Sequence, residues 1–293
     1  MLIKCIILSL CACHLLIAPV AAAQESYSIQ QLSSSFYAAL AKPGGRSSTN
    51  AFFYVNGNQV IAGGAHMTRE AIDDLWSAID ATVHKPVRYF VLTHHHPGFS
   101  HIDTAFPADV TLILSGETWK NLDKEVRKPE ASLFLFSDGL TLRSPQVPAL
   151  VLSNIGAAHT DGDTIVVIPE EKIAYVGDLL YVKSVGYMGD GRMRSWLQSL
   201  DFLAELGLKQ IIPGYGPPAG KEEVDEFRLY FRDFLSEVLS KIESKESVAA
   251  IKKNFTLPKY QNWSGYKQFL RDNAEHAWHD LKNDFNGEEE AKN

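Results

Sequence analysis

The chain has 293 residues, of which 45% are hydrophobic and 22% are charged, and this composition is ordinary for a folded globular protein. Its formal net charge is -7 and its sequence pI is about 5.8. A protein that binds nucleic acid needs a basic surface to neutralise phosphates, so this charge argues against nucleic acid as a partner.

Residues 1–23 have the organisation of a secretory signal peptide. Lys4 precedes an apolar run from Cys5 to Val20, and three alanines then form a small-residue cleavage site. The alternative is an uncleaved membrane anchor, but such a helix usually needs ~20 continuous apolar residues. We therefore expect cleavage near Ala23, a periplasmic or secreted protein, and no stable membrane anchor.

All three cysteines, Cys5, Cys11 and Cys13, lie inside this first segment. The mature chain would then have neither a disulfide nor a thiolate ligand. A metal ion would have to be held by histidine, aspartate or glutamate, and these donors suit zinc or another borderline divalent ion.

The first predicted elements follow the signal segment. Residues 24–46 are expected to be a polar, partly structured lead-in. Strands are expected at 51–55 and 59–62, because the Asn56-Gly57 step between them tolerates the positive φ of a tight hairpin turn. A helix is expected from 68 to 83, where Thr68 can cap a set of apolar residues at helical spacing.

Strands and helices then alternate without internal repeats, which predicts a layered α/β fold for residues 47–220. The predicted strands lie at 87–92, 110–114, 141–152, 165–168, 173–176 and 210–212, and the predicted helices at 116–125 and 195–205. Apolar residues from Glu222 to Lys245 fall on one helical stripe, and residues 257–281 are rich in aromatics. Residues 221–293 are therefore expected to form a C-terminal helical extension packed on the domain.

A histidine cluster follows the strand predicted at 87–92, and it reads Thr93-His94-His95-His96-Pro97-Gly98-Phe99-Ser100-His101. Side chains alternate along an extended chain. If this segment stays extended, His94 and His96 point to one side while His95 points away. Imidazole is a common ligand of zinc, so the cluster predicts a metal site.

The chain resembles the metallo-β-lactamase superfamily in four blocks that keep their order over roughly Ser47 to Gly220. The blocks align the family's T-H-x-H-x-D-H motif with residues 93–99, its next histidine with His159, the aspartate of its G-D motif with Asp178, and the histidine of its P-G-H-G-P motif with Tyr215. The resemblance implies a four-layer αβ/βα sandwich in which loops at strand ends carry the metal ligands.

The same resemblance divides the ligands into two groups. The positions of the family's first metal are matched by His94, His96 and His159, and the bridging position is matched by Asp178. These residues imply that one zinc ion is held by three histidine nitrogens, with Asp178 or a water completing a tetrahedron.

The positions special to the second metal fall at Gly98, Phe99 and Tyr215. Glycine has no donor, phenylalanine is apolar, and a tyrosine with an ordinary pKa of ~10 is mostly neutral and a poor ligand. The resemblance therefore implies that the second position is empty. His101 could replace the lost histidine, although a histidine on a surface loop is the commoner case.

The sequence is compatible with two functions. The first is an exported single-zinc hydrolase of a small-molecule ester, thioester or amide, with Asp178 as ligand or general base and Tyr215 donating a hydrogen bond to the oxyanion. The second is a catalytically inactive member that uses the cleft to bind a small molecule or a protein. Asp163 is expected to set the loop after His159, or to hydrogen-bond a ligand histidine.

Overall fold

The computed structural model describes residues 26–65, 68–96, 106–123 and 131–290, with side chains described as far as residue 283. Its strands are β1 (Tyr27–Gln31), β2 (Phe36–Ala41), β3 (Ala51–Asn56), β4 (Gln59–Gly64), β5 (Val87–Leu92), β6 (Thr111–Ser115), β7 (Ser132–Phe136), β8 (Gly139–Ser144), β9 (Val147–Gly156), β10 (Asp163–Ile168), β11 (Ile173–Tyr181) and β12 (Gln210–Tyr215). Its α-helices are α1 (Arg69–Val83), α2 (Gly116–Leu122), α3 (Met193–Glu205), α4 (Lys221–Glu243), α5 (Val248–Asn254) and α6 (Tyr266–Glu290).

The strands form two sheets. The first contains β1 to β7 in chain order, antiparallel from β1 to β4 and parallel from β4 to β7. The second has the order β12-β11-β10-β9-β8, and its one parallel pair is β11 with β12. Each parallel pair requires a crossover connection, and α1 and α3 supply two of these.

Three buried clusters define four layers. One cluster joins the first sheet to α1 and includes Leu75 and Phe90. A second lies between the two sheets and includes Phe52 and Tyr175, whose rings are 5.0 Å apart. The third joins the second sheet to helices α3 to α6. The predicted four-layer αβ/βα sandwich with C-terminal helices is confirmed.

Helix α1 shows how local sequence sets an element. The hydroxyl of Thr68 accepts a hydrogen bond from the backbone N–H of Ala71, which satisfies one of the free donors of the first turn. The helix buries Ala71, Ile72, Leu75 and Ile79, which recur at helical spacing. It returns the chain to the start of β5, and the histidines follow the other end of that strand.

The C-terminal helices pack against the second sheet through aromatic side chains. On α4 the rings of Phe227, Phe231 and Phe234 are buried in the same cluster as Trp196 of α3. Helix α6 adds Leu270 to that cluster, so the helical layer and the second sheet share one hydrophobic core.

The sequence predictions need three corrections. The lead-in expected at residues 24–46 is wrong over 27–41, where β1 and β2 pair with each other and extend the first sheet. The Pro-interrupted strand region expected at 141–152 contains parts of two antiparallel strands, β8 and β9. Strand β7 was not predicted, because its sequence Ser-Leu-Phe-Leu-Phe does not alternate in polarity, although the Asp138-Gly139 step after it is a turn signal.

Several predictions fall on residues outside the described ranges. These are the signal segment 1–23 with its cysteines, the Gly98 and Phe99 positions, and His101. Within the ranges that are described, none of the helices combines the length and the apolar character that a membrane crossing requires.

Candidate metal centre and its cleft

Three buried histidines meet where the two sheets end. His94 and His96 follow β5 directly, and His159 lies in the loop between β9 and β10. The backbone N–H of Thr164 donates to the carbonyl of Thr93 at 2.8 Å and so ties the two loops together. One nitrogen from each histidine lies within 4.8 Å of the others, and each residue is at most 3% exposed.

The arrangement suits a divalent cation. Nδ1 of His96 lies 2.6 Å from Oδ2 of Asp190, and because a carboxylate only accepts, this nitrogen carries the proton. The Nε2 atoms of His96 and His159 are 2.7 Å apart, so two imidazole nitrogens converge on one point, as the ligands of a divalent cation do.

Rings around the histidines restrict their orientation. The ring of His159 packs edge-on against Trp196 at 5.0 Å, and the indole N–H of Trp196 donates to the carbonyl of Leu179 at 3.1 Å. The rings of His94 and His159 are 5.0 Å apart and nearly perpendicular. The imidazoles are therefore held in place by packing as well as by polar contacts.

Asp178 lies beside the histidines because of an irregularity in β11. The pairing of β11 with β12 shifts register around Gly177, whose φ of +54° lies in the left-handed region that glycine tolerates. Oδ2 of Asp178 is 3.6 Å from Nε2 of His159. Burial raises the pKa of Asp178 to about 6, although the nearby His96 and a hydrogen bond from Tyr181 lower it.

The backbone of β12 approaches this carboxylate closely. A Cβ atom added to Gly214 would lie 2.1 Å from Oδ1 of Asp178 and 2.9 Å from its backbone nitrogen. Only glycine leaves room for Asp178 at this point.

Tyr215 ends β12 and lines the same cleft as His96 and His159. Its ring is 5.2 Å from that of Tyr181. Burial, and then the charge of Asp178, raise the pKa of Tyr215 to about 12. The hydroxyl is therefore neutral at physiological pH. In this form it can donate a hydrogen bond, but it is a weak metal ligand.

Asp163 stabilises the loop that carries His159. Its carboxylate accepts from the backbone N–H groups of Ala158 and Thr160, at 3.2 and 2.9 Å, and from the hydroxyl of Thr160 at 2.7 Å. Full burial raises its pKa to about 7, against the effect of these hydrogen bonds. Of the two expectations for Asp163, the structure supports the loop role.

The structure adds two residues that the sequence analysis missed, Tyr187 and Asp190. Both lie between β11 and α3. Asp190 contacts His96 as described, and the ring of Tyr187 lies edge-on to His96 at 5.6 Å. The hydrogen bond with His96, the largest cause, lowers the pKa of Asp190. No motif marks this loop, so only the spacing of Asp190 beyond Asp178 could have suggested it.

A cleft of about 1060 Å³ opens beside the histidines, which is at the upper end of the size of small-molecule sites. Besides Ser48, Tyr181 and the candidate site residues, three parts of the chain line it. These are the start of α1 at 68–70, the loop at 184–187, and residues 264, 265, 268 and 269 of the C-terminal region. Among the predicted residues, it brings together His96, His159, Asp178 and Tyr215.

Comparison with known proteins agrees with this site. Residues 148–215 match the family model of the metallo-β-lactamase superfamily. This segment contains His159, Asp178 and Tyr215. No curated protein matches the sequence.

Solved structures share the fold at low sequence identity. A metallo-β-lactamase from Pontibacter korlensis is 17% identical, with a TM-score of 0.58, and the match covers 70% of this chain and 99% of that one. The metallo-β-lactamase FIM-1 from Pseudomonas aeruginosa, in its mono-zinc form, is 18% identical with a TM-score of 0.57, covering 71% and 95%. A metallo-β-lactamase from Erythrobacter litoralis with β-mercaptoethanol in its active site is 21% identical with a TM-score of 0.59, covering 71% and 97%.

The matched segment, the four-layer fold and the group of three histidines that could bind a metal agree with one another. Taken together, they show that the chain has the metallo-β-lactamase fold and that its residues 148–215 are similar to the metallo-β-lactamase superfamily.

Proposed function

We propose that this protein is an exported hydrolase that uses a single zinc ion to cleave an ester, thioester or amide. The observation that carries the proposal is the convergence of His94, His96 and His159, with one nitrogen of each within 4.8 Å, beside a cleft large enough for a small molecule. Histidines that bind a metal commonly donate their other ring N–H to a carboxylate, as His96 does to Asp190. The solved mono-zinc relative supports a count of one ion.

The histidines would hold the ion, and Asp190 would orient His96. A zinc ion bound here supplies Lewis-acid polarisation of the substrate carbonyl and activation of a water for attack. Because Nδ1 of His96 carries the proton, its Nε2 lone pair is directed to the side where His159 lies. The protein thus fixes the tautomer before any ligand binds.

Asp178 would accept the proton of the attacking water at Oδ2. This carboxylate is buried beside the candidate ligands, within 3.6 Å of His159, where it can act as a general base toward a water held at the site. Oδ2 also receives a 3.4 Å hydrogen bond from the hydroxyl of Tyr181. The same atom is close enough to His159 to serve instead as a fourth ligand.

Tyr215 would stabilise the oxyanion that forms on the substrate. Its neutral hydroxyl lines the cleft with Asp178 and the histidines, and a donor of this kind contributes most where charge develops. It also favours a second candidate function, a catalytically inactive binding protein. A neutral phenol at the position of the family's last histidine reduces metal binding and makes the cleft more apolar.

Metal analysis of the mature protein, purified without chelator, tests the proposal. We expect about one zinc per chain, and its loss in the double variant His94→Ala/His96→Ala. His279→Ala is the matched control, because His279 is an exposed histidine on α6 outside the site. A screen of esters, thioesters and amides should then show turnover that the double variant lacks. Protein that cannot be loaded with zinc would instead favour the binding function.

The exported location is part of the proposal and is supported by the composition of residues 1–23. We expect the mature protein in the periplasm or medium to begin near Gln24. N-terminal sequencing of material from the periplasmic and culture fractions tests this directly, and an intact Met1 in those fractions would contradict it.

A further inference from the structure

We infer that Tyr187 and Phe269 form a binding wall for an apolar acyl or aryl group of the substrate, so that the C-terminal helix α6 takes part in substrate selection. The inference rests on the proposed function in one respect, namely that the bound group belongs to a hydrolysable substrate. It names these two residues as specificity determinants.

Tyr187 lies between the candidate metal centre and α6. Its ring centroid is 5.6 Å from that of His96 on one side and 6.4 Å from that of Phe269 on the other, and both ring pairs are edge-on. The residue is 41% exposed, although it lies beside three histidines that are almost fully buried. An exposed aromatic ring next to a site of this kind is an available apolar contact surface.

Helix α6 holds the loop of Tyr187 in one position through a buried side chain. The side-chain amide of Asn273 donates to the carbonyl of Gly186 at 2.8 Å and accepts from the backbone N–H of Met188 at 3.0 Å. These two bonds flank Tyr187. Asn273 is only 1% exposed, so both of its bonds are protected from water, and such buried pairs fix a loop in one conformation.

Two more side chains of α6 support the same loop. Nε2 of His276 lies 2.8 Å from the carbonyl oxygen of Gly191, and Oδ2 of Asp280 accepts from the backbone N–H of Met193 at 2.8 Å. The preceding part of the loop is tied to the turn before α6, because Val185 N–H donates to the carbonyl of Ser264 at 2.8 Å. The wall is therefore preorganised, which reduces the entropic cost of binding.

The charges on the cleft do not compete with this apolar contact. Arg69 and Glu70 line it side by side at the start of α1, and their opposite charges largely cancel at the distance of a ligand. The remaining acidic group, Asp178, belongs to the metal centre. The choice of substrate then depends mainly on the apolar surface of the cleft, which includes Val185 as well as Tyr187 and Phe269.

These distances define the substrate class. The wall begins next to His96, so the apolar group must lie close to the carbonyl that is cleaved. Hydrolysis adds one water across the bond between the carbonyl carbon and the heteroatom. The products are a carboxylic acid that keeps the apolar group and an alcohol, thiol or amine. We therefore expect arylacetic or longer alkanoic derivatives to be preferred over acetyl derivatives.

Binding to the metal-free protein separates this inference from the proposed function. The probe is 2-naphthylacetamide, followed by its fluorescence anisotropy with chelator-treated protein. We expect the Kd to rise about tenfold in Phe269→Ala and in Tyr187→Ala, as the loss of one aromatic contact implies. The matched control is Phe202→Ala on α3, a ring that is 47% exposed and does not line the cleft. It should leave the Kd unchanged.

Kinetics supply the second test. With ethyl thioesters of acetic, butanoic and phenylacetic acid, the ratio of kcat/KM for phenylacetyl over acetyl should fall about tenfold in Tyr187→Ala, while Phe202→Ala, outside the cleft, leaves that ratio unchanged. Equal probe affinity in wild type and both wall variants would overturn the inference, even if the protein is an active hydrolase. Probe binding that depends on the wall, without any turnover, would retain the wall and reject the hydrolase. If Phe269→Ala does not fold, Tyr187→Ala alone decides.

Discussion

Oδ2 of Asp190 lies 2.6 Å from Nδ1 of His96, and this contact joins the loop after β11 to the histidine that follows β5. Asp190 is 37% exposed on its side chain, while His96 is only 3% exposed. The partly exposed carboxylate therefore bonds to a buried ring. Through this bond the loop between β11 and α3 sets the orientation and the tautomer of a candidate metal ligand.

Replacing Asp190 should weaken metal binding. We expect Asp190→Ala to lower zinc affinity by about 10–100-fold, since loss of the partner of a ligand histidine typically has an effect of this size. Competition with a chromophoric chelator measures it. Asp161→Ala is the matched control, because Asp161 pairs with Arg192 at the surface. Equal affinities of Asp190→Ala and the control would contradict the positioning role.

Much of the metal centre could be predicted from sequence, because its residues lie in short blocks at strand ends. His94, His96, His159, Asp178 and Tyr215 each follow or lie within a strand that its apolar composition indicates. Parallel neighbours place such ends at one edge of a sheet. Asp190 and Tyr187, which lie against His96, could not be predicted in this way.

Asp190 and Tyr187 lie in an irregular loop whose conformation depends on α6, about 85 residues further along the chain. No local pattern encodes such a contact. Strands β1 and β2 were missed for a related reason. Their pairing buries Phe36 and Ala38, but the polar residues between the strands suggested a lead-in. Long-range burial, rather than local propensity, decides elements of this kind.

Asn273 is predicted to be important for stability. Asn273→Ala removes a buried donor and a buried acceptor and leaves the carbonyl of Gly186 and the N–H of Met188 without this partner. We expect the free energy of unfolding to fall by about 1–3 kcal/mol, as measured by urea denaturation. Gln268→Ala, an exposed residue of the same helix, should change it by less than about 0.5 kcal/mol. A similar loss in both variants would show that the effect is not specific to the loop.

Gly214 should tolerate no side chain. In Gly214→Ala the new Cβ would overlap the carboxylate of Asp178, so either the strand or Asp178 must move. We expect a loss of about 1–3 kcal/mol in stability, and a fall in kcat that is larger than the change in KM. Gly116→Ala is the control, because its Cβ meets nothing closer than 3.8 Å. Wild-type kcat in Gly214→Ala would exclude a role for Asp178 at its observed position.

The carboxylate of Asp233 should make the stability of the fold depend slightly on pH. Its carboxylate accepts from Lys259 at 2.8 Å and from Tyr260 at 2.6 Å, and Lys259 is the largest cause of its lowered pKa. A lowered carboxyl pKa stabilises the fold above the ordinary value of 3.8, and this contribution is lost as the pH falls through the folded pKa. Because the pair is partly exposed, we expect it to contribute at most about 1 kcal/mol to the free energy of unfolding.

The comparison of wild type with Asp233→Asn tests this sign. Their midpoints of thermal unfolding should differ at pH 7, with the variant lower, and should converge as the pH is lowered below 3.8. A difference that grows on acidification would contradict the assignment, because it would mean that the neutral form of Asp233 is the one that the fold favours.

The variant Tyr215→Phe tests whether the phenol of Tyr215 acts in catalysis or only in packing. Removal of its hydroxyl in Tyr215→Phe keeps the ring contact with Tyr181 and should leave zinc content and KM nearly unchanged. If the hydroxyl stabilises the oxyanion, kcat should fall by about 100-fold. With a pKa of about 12 the group stays protonated, so the loss should be the same at every pH between about 6 and 9. A loss confined to one end of that range would indicate a group that titrates there, and an unchanged kcat would assign Tyr215 to packing alone.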